Sequence, residues 1–210
     1  IFAFAIYENN KLTIVRDHVG VKPLFYYFDG SQFVFSSEIK GIFAYGITPR
    51  LNKSSWCEII GLGPAHTPGN GVFENIHEVL SGHYLTINLT PDKKIILEDY
   101  CYWKLRSKIH KDDYNATVMH TNFLIEDSIK NQMVSDIPIC TFLSGGLDSS
   151  LVSSIVSKHL GEKSLATYSF DFVDNNINFK ANSFQTTRDR PYVDIMKDYL
   201  HSKHHYLECN

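Results

Sequence analysis

The sequence has no excess of positive charge. Twenty Lys and Arg against 23 Asp and Glu leave a net charge of -3, which excludes the basic footprint of a nucleic-acid-binding chain. No apolar run approaches the roughly 18 residues that a membrane-spanning helix needs, and the mean hydropathy is -0.18. Cysteine is scarce: the four residues Cys57, Cys101, Cys140 and Cys209 form no C-x-x-C pair and have no His at zinc-finger spacing. That excludes a structural zinc site and, in a chain of this length, a disulfide framework. Buried, reduced thiols are the expectation. There is also no initiator Met and no positively charged leader. What is present is a 43% hydrophobic, 13% aromatic composition, enough to build a core and inconsistent with disorder. A soluble, globular, cytoplasmic protein is expected, with no nucleic-acid or membrane partner.

Along residues 1–38 short aromatic-rich strands alternate with turns. Phe2 to Tyr7 breaks at Glu8-Asn9-Asn10, Leu12 to Val15 ends near Gly20, and Leu24 to Phe28 breaks at Asp29-Gly30, a strong hairpin signal before Phe33 to Phe35. The pattern predicts an antiparallel meander whose first strand is buried. A Ser-capped short helix follows, from Glu38 to Gly46, then a second over 51–60 capped by Asn52 or Ser54. Residues 61–77 are rich in Gly and Pro and predict a loop. Strands over 80–89 and 95–103 flank the turn Thr90-Pro91-Asp92. The polar stretch 104–112 is the best boundary, dividing the chain into 1–104 and 105–210. A strand beginning at the first residue, and another at 205–210, are expected of an internal piece of a longer protein.

Beyond the boundary the period changes. Val118, Phe123, Ile125, Ile129 and Met133 mark an amphipathic helix over 113–134. Residues 137–143 read as a strand buried on both faces. A helix over 148–160 with Gly161 at its end, a strand over 164–172 and a helix opened by Asp189-Arg190-Pro191 follow. The fold class expected is therefore α+β, antiparallel at first, followed by the start of an α/β doubly wound parallel sheet.

The chemistry concentrates in Leu143-Ser144-Gly145-Gly146-Leu147-Asp148-Ser149-Ser150. A turn from the carboxyl end of a buried strand into a helix is where ligands bind in open α/β sheets. Adjacent glycines let backbone approach a phosphate, and a helix N-terminus offers free N–H groups to an anion. Asp148 would repel bare phosphate, so it makes sense as a ligand of phosphate-bound Mg²⁺. Neither a Walker A loop nor a dinucleotide fingerprint is present.

This stretch resembles the pyrophosphate-binding loop of the ATP pyrophosphatases, and the whole chain is similar to glutamine-hydrolysing asparagine synthetases. Phe2-Ala3-Phe4-Ala5, Arg16 to Leu24 and Ser36 to Lys40 resemble the closing part of a class II glutaminase domain of Ntn-hydrolase type; Ser135 to Pro138 leading into Ser150 resembles the start of the synthetase domain. The resemblance implies an enzyme that activates the aspartate side chain with MgATP as β-aspartyl-AMP, releasing pyrophosphate, and aminates it with ammonia from glutamine. It implies ATP contacts from Leu143, Ser144, Gly145, Gly146, Asp148, Ser149, Ser150 and Phe170, the last beside adenine, with Asp148 on Mg²⁺. Phe170 also reads as a plain core aromatic. Aspartate, glutamine and ATP are the implied small-molecule substrates, and a homodimer is compatible with the family. The family's N-terminal Cys nucleophile has no counterpart at Ile1, so the catalytic residue is unknown, and the isolated chain is expected to be inactive.

Two other readings compete: a β-lactam synthetase or peptide-cyclase-like ligase acting on another carboxylate, and a non-catalytic nucleotide-binding module. Elsewhere, His201, His204 and His205 read as an exposed helix end in preference to a metal site, Arg16 and Asp17 as an ion pair across strands or Arg16 as lining the domain interface, and 175–188 as an inserted surface loop.

Overall fold

The computed structural model describes residues 1–63, 65–92, 94–161, 165–183 and 185–209. They form two compact units, Ile1–Lys108 and Ile109–Asn210.

In the first unit, β1 (Ala3–Glu8), β2 (Lys11–Arg16), β6 (His83–Leu89) and β7 (Ile95–Cys101) make one antiparallel sheet in the order β1-β2-β6-β7. A second, in the order β4-β3-β5, contains β3 (Phe25–Phe28), β4 (Phe33–Ser36) and β5 (Ile76–Glu78). The two hairpins are thus not one meander. The chain leaves the first sheet after β2, which pairs with β6 on its other side. Ile14, Leu24, Val79, Leu85 and Ile87 are buried together, with Tyr26, Phe33 and Leu97 packed against them. The alternation of β2 supplies that face: Ile14 and Arg16 are buried while Lys11 is exposed. β1 is an edge strand with Phe4 and Ile6 exposed, so its expected burial is not found among the described residues.

Two helices lie between these strands. α1 (Ile39–Ala44) has Glu38 at its N-cap with no side-chain cap bond; Ser36 Oγ accepts only from the Glu38 N–H, at 3.3 Å, so the expected Ser cap is not made. α2 (Lys53–Leu62) is capped reciprocally by Asn52 and Ser55, as a capping pair satisfies two orphan donors at once. All four cysteines are exposed, contrary to the expectation of burial. Cys101, Cys140 and Cys209 sit at strand ends, where packing is thinnest, and Cys57 lies on α2.

Arg16 and Asp17 do not pair with each other. Arg16 is buried, with Nη1 2.7 Å from Glu78 Oε1 and 2.6 Å from the Val79 carbonyl; Nε and Nη2 donate to the Lys22 and Gly20 carbonyls. Asp17, 2% exposed, accepts from the N–H groups of Phe2, Val19, Val21 and Lys22. The pair therefore stitches β1, the turn after β2 and the segment before β6.

In the second unit Asp113 caps α3 (Tyr114–Asn131), accepting from the Ala116 N–H at 2.8 Å. β8 (Cys140–Phe142), α4 (Leu147–Leu160), β9 (Ala166–Phe172), α5 (Asn175–Asn178), α6 (Arg190–Leu200) and β10 (Lys203–Cys209) follow. The sheet is parallel throughout, in the order β10-β9-β8. Register places Thr141, Thr167, Ser169, His204 and Tyr206 on one face. α4 and α6 cover it: Ser153 Oγ lies 2.8 Å from Thr141 Oγ1, and the Arg190 guanidinium lies 3.4 Å from the centre of the Tyr206 ring. Phe142, Phe170, Phe172 and Leu207 on the opposite face are exposed, so helices on both faces are not seen among the described residues. The strand expected over 137–143 is shorter and is not buried on both sides. Among the described residues it has one neighbour, β9, and Phe142 is 77% exposed.

The inserted segment is not all loop, since α5 occupies its first turn. Residues Ser164 and Asn210, where strands were also expected, lie outside the described residues.

Burial alone would raise the Asp17 pKa, but its four backbone N–H donors outweigh this and hold it at about 2, against an ordinary 3.8. A depressed folded value stabilises the protein fully above about pH 4 and progressively less as pH falls towards 2, by roughly 2 kcal/mol in all. Asp17→Asn is expected to lower stability at pH 7 by about 1–3 kcal/mol and to flatten the acid limb between pH 4 and 2; urea unfolding across that range measures both.

Candidate functional site

The turn between β8 and α4 is built on a buried anchor. Leu143 packs with Val193 and Leu200 of α6, and its N–H donates to the Tyr168 carbonyl of β9 at 2.7 Å. The chain then reverses at Gly145, whose φ of +75° favours glycine. Its backbone lies close against α6: a Cβ there would be 2.5 Å from Tyr192 Cβ and 2.7 Å from the Val193 nitrogen. Ser144 and Ser149 close the turn from within, their Oγ atoms 2.9 Å apart. Ser149 Oγ accepts from the Ser144 N–H at 3.2 Å, and Ser144 Oγ accepts from the Gly146 N–H at 3.4 Å.

Gly146 is the N-cap of α4 and supplies no side-chain acceptor. The N–H groups of Gly145, Leu147, Asp148 and Ser149 consequently have no acceptor among the described residues. Ser150 Oγ is buried without a hydrogen-bond partner. An unpaired run of N–H groups at the start of a 14-residue helix attracts an anion through its partial positive charge. Asp148 projects from the first turn, exposed, and its carboxylate makes no ion pair among the described residues. No group of three His, Cys, Asp or Glu suited to a metal occurs among the described residues. One carboxylate is nonetheless an ordinary protein contribution to Mg²⁺, which takes its remaining ligands from water and phosphate oxygens. The unpaired amides, the orphan Ser150 hydroxyl and the close Gly145 backbone fit a Mg²⁺-polyphosphate.

Of the residues expected at the site, Leu143 lies beneath the turn, and Ser144, Gly145, Gly146, Asp148, Ser149 and Ser150 form it. Phe170 stands apart on β9. It is 55% exposed and meets Phe172 edge to face, so it is no core aromatic. It lines a cavity of about 380 Å³ at the carboxyl end of β9, together with Asp171, Asn175, Lys180, Gln185 and Arg190. Asn175, Lys180 and Gln185 escaped the sequence reading because they fall in the segment taken as a surface loop; the Asp171 to Asn175 spacing across a strand end was the available signal.

The histidines are not a shared helix end. His201 closes α6 with left-handed backbone, whereas His204 lies in β10 between Thr167 Oγ1 at 2.8 Å and Ser169 Oγ at 3.0 Å. Burial pushes its pKa down, Lys197 and Arg190 act the same way, and Asp194 opposes them. Asp194 accepts from the Tyr206 hydroxyl, which holds its carboxyl below the usual range against burial, with help from Lys197 and Arg190.

The chain thus consists of an antiparallel β unit followed by a parallel α/β unit, the second carrying a glycine turn with free helix amides. Comparison with known proteins agrees in both halves. The glutamine amidotransferase domain family matches residues 1–103 and the asparagine synthase family residues 120–210. The chain is 42% identical over 211 residues to asparagine synthetase [glutamine-hydrolyzing] 3 of Bacillus subtilis, covering 98% of this chain and 34% of that protein. It is 34% identical over 173 residues to asparagine synthetase [glutamine-hydrolyzing] 2 of the same organism, covering 75% of this chain and 22% of that protein. The chain belongs to the glutamine-hydrolysing asparagine synthetase family, and spans about a third of the length of the relative it matches at 42% identity.

Among the described residues no helix is long and apolar enough to cross a membrane.

Gly145→Ala forces an unfavourable φ and a backbone collision with α6. It is expected to cost about 2–4 kcal/mol, read as a lowered thermal midpoint.

Proposed function

We propose that the protein carrying this chain is an ATP-dependent amide-forming ligase. It activates the aspartate side-chain carboxylate as β-aspartyl-AMP with release of pyrophosphate, and ammonia from glutamine gives asparagine. Family membership supports this reading, and the observation that carries it is the unpaired run of N–H groups from Leu147 to Ser149 beside Gly145. On this reading Ser144, Gly145, Gly146, Ser149 and Ser150 hold the pyrophosphate portion of ATP and Asp148 holds Mg²⁺. Leu143 supports the nucleotide and Phe170 lies beside its base. Residues 1–104 are the closing part of the glutaminase domain, of Ntn-hydrolase type, and 105–210 the opening of the doubly wound synthetase domain. On the same reading the enzyme is cytoplasmic, and a homodimer is compatible with the family.

The chemistry asks two things of these residues. A carboxylate is a poor acceptor of ammonia, so it must first gain a leaving group. Attack on the α-phosphate transfers negative charge to the departing pyrophosphate, and N–H donors already aimed at that position stabilise it without reorganising. Mg²⁺ held by Asp148 would supply further neutralisation of that charge. Ser144 and Ser149 fix the shape of the turn through their mutual hydroxyl contact.

ATP–pyrophosphate exchange on the intact protein tests this. Exchange dependent on aspartate is expected, reduced about 100-fold or more in Asp148→Asn. Absence of exchange with any carboxylic acid would refute it.

A further inference from the structure

The cavity at the carboxyl end of β9 is lined partly by the inserted segment, which the polyphosphate-binding role of the turn does not explain. Helix α6 links it to that turn. Arg190, which lines the cavity, opens α6, and Tyr192 and Val193 of the same helical turn abut Gly145. Within the cavity Asn175 is half-buried, and its Nδ2 donates to Asp171 Oδ1 at 2.6 Å. The same Oδ1 accepts from the Phe172 N–H at 2.9 Å, and Arg190 Nη1 lies 3.9 Å from Asp171 Oδ2.

This pair removes an ambiguity. An asparagine amide can ordinarily turn over and exchange its donor and acceptor ends. An ionised carboxylate only accepts, so Asp171 compels Asn175 to present Nδ2 to it, and the Oδ1 end is committed to the other side. That Oδ1 has no donor among the described residues. Beside it remains the second Nδ2 hydrogen.

An acceptor next to a donor is complementary to an amino group next to a ring nitrogen, the edge that adenine offers. A 6-oxo purine presents an acceptor where adenine has its amino group, and would set two acceptors face to face. Resting on the ligase reading above, we propose that Asn175, fixed by Asp171, is the specificity-determining residue that selects an adenine base over guanine and hypoxanthine. The inserted segment thus completes a base-reading pocket, with Asp171 as a positioning residue acting through Asn175.

Displacement of a fluorescent ATP analogue from the intact protein by MgATP, MgGTP and MgITP tests the assignment. The wild type is expected to bind ATP about 10-fold or more tightly than either 6-oxo nucleotide. Asn175→Ala should weaken ATP about 10-fold while leaving GTP and ITP unchanged; a merely structural role would weaken all three together. Asp171→Asn frees the amide to turn over and offer Nδ2 to a 6-oxo group, so GTP and ITP should bind several-fold more tightly, a gain that misfolding cannot produce. An unchanged ATP-to-GTP ratio in both variants would overturn this inference while leaving the ligase reading intact. Failure of the wild type to bind any of the three nucleotides would overturn both.

Discussion

The second unit depends on one constraint: main-chain N–H groups left without partners at the start of α4. The first N–H groups of a helix have no intrahelical acceptor, and an ordinary helix start meets part of the need with Ser, Thr, Asp or Asn at the N-cap. Here the N-cap is Gly146, and the nearby hydroxyls of Ser144 and Ser149 are turned inward on one another. The turn is shaped from behind. Leu143 is fixed in the α6 contact, and Gly145 fits against Tyr192 and Val193 only because it lacks a side chain. The position of the N–H groups is therefore set by packing and not by a ligand.

The first unit shows the opposite solution. Asp17 receives four backbone donors and Arg16 gives to three backbone carbonyls and Glu78. Both charged groups are spent internally, tying the strand ends together. The contrast between a saturated network and an unsaturated turn distinguishes scaffold from site in the same chain.

The turn was legible in the sequence because its chemistry is local. Two glycines, three serines and an aspartate lie in consecutive positions, and the switch from an apolar run to a helical period frames them. The helices capped by Asn52 and Asp113, and the parallel strands β9 and β10, were legible for the same reason. What was not legible depends on contacts distant in sequence. Arg16 finds Glu78 and Val79 some 62 and 63 residues away, so adjacency to Asp17 misled. The apolar run at 137–143 carries no sign that β8 has one neighbour among the described residues, with Phe142 exposed. Cysteine burial fails at Cys101, Cys140 and Cys209 because strand ends are thinly packed, and at Cys57 because it lies on the exposed side of α2. Asn175 gains meaning only once Asp171 and the cavity wall are in place.

The most direct measurement of the central claim is amide hydrogen exchange at Leu147, Asp148 and Ser149 in the intact protein, with and without saturating MgATP. The account predicts rapid exchange in the free protein and marked slowing at these three positions when nucleotide binds, because the phosphate oxygens become their acceptors. Unchanged exchange at all three, in a protein saturated with MgATP, would contradict it.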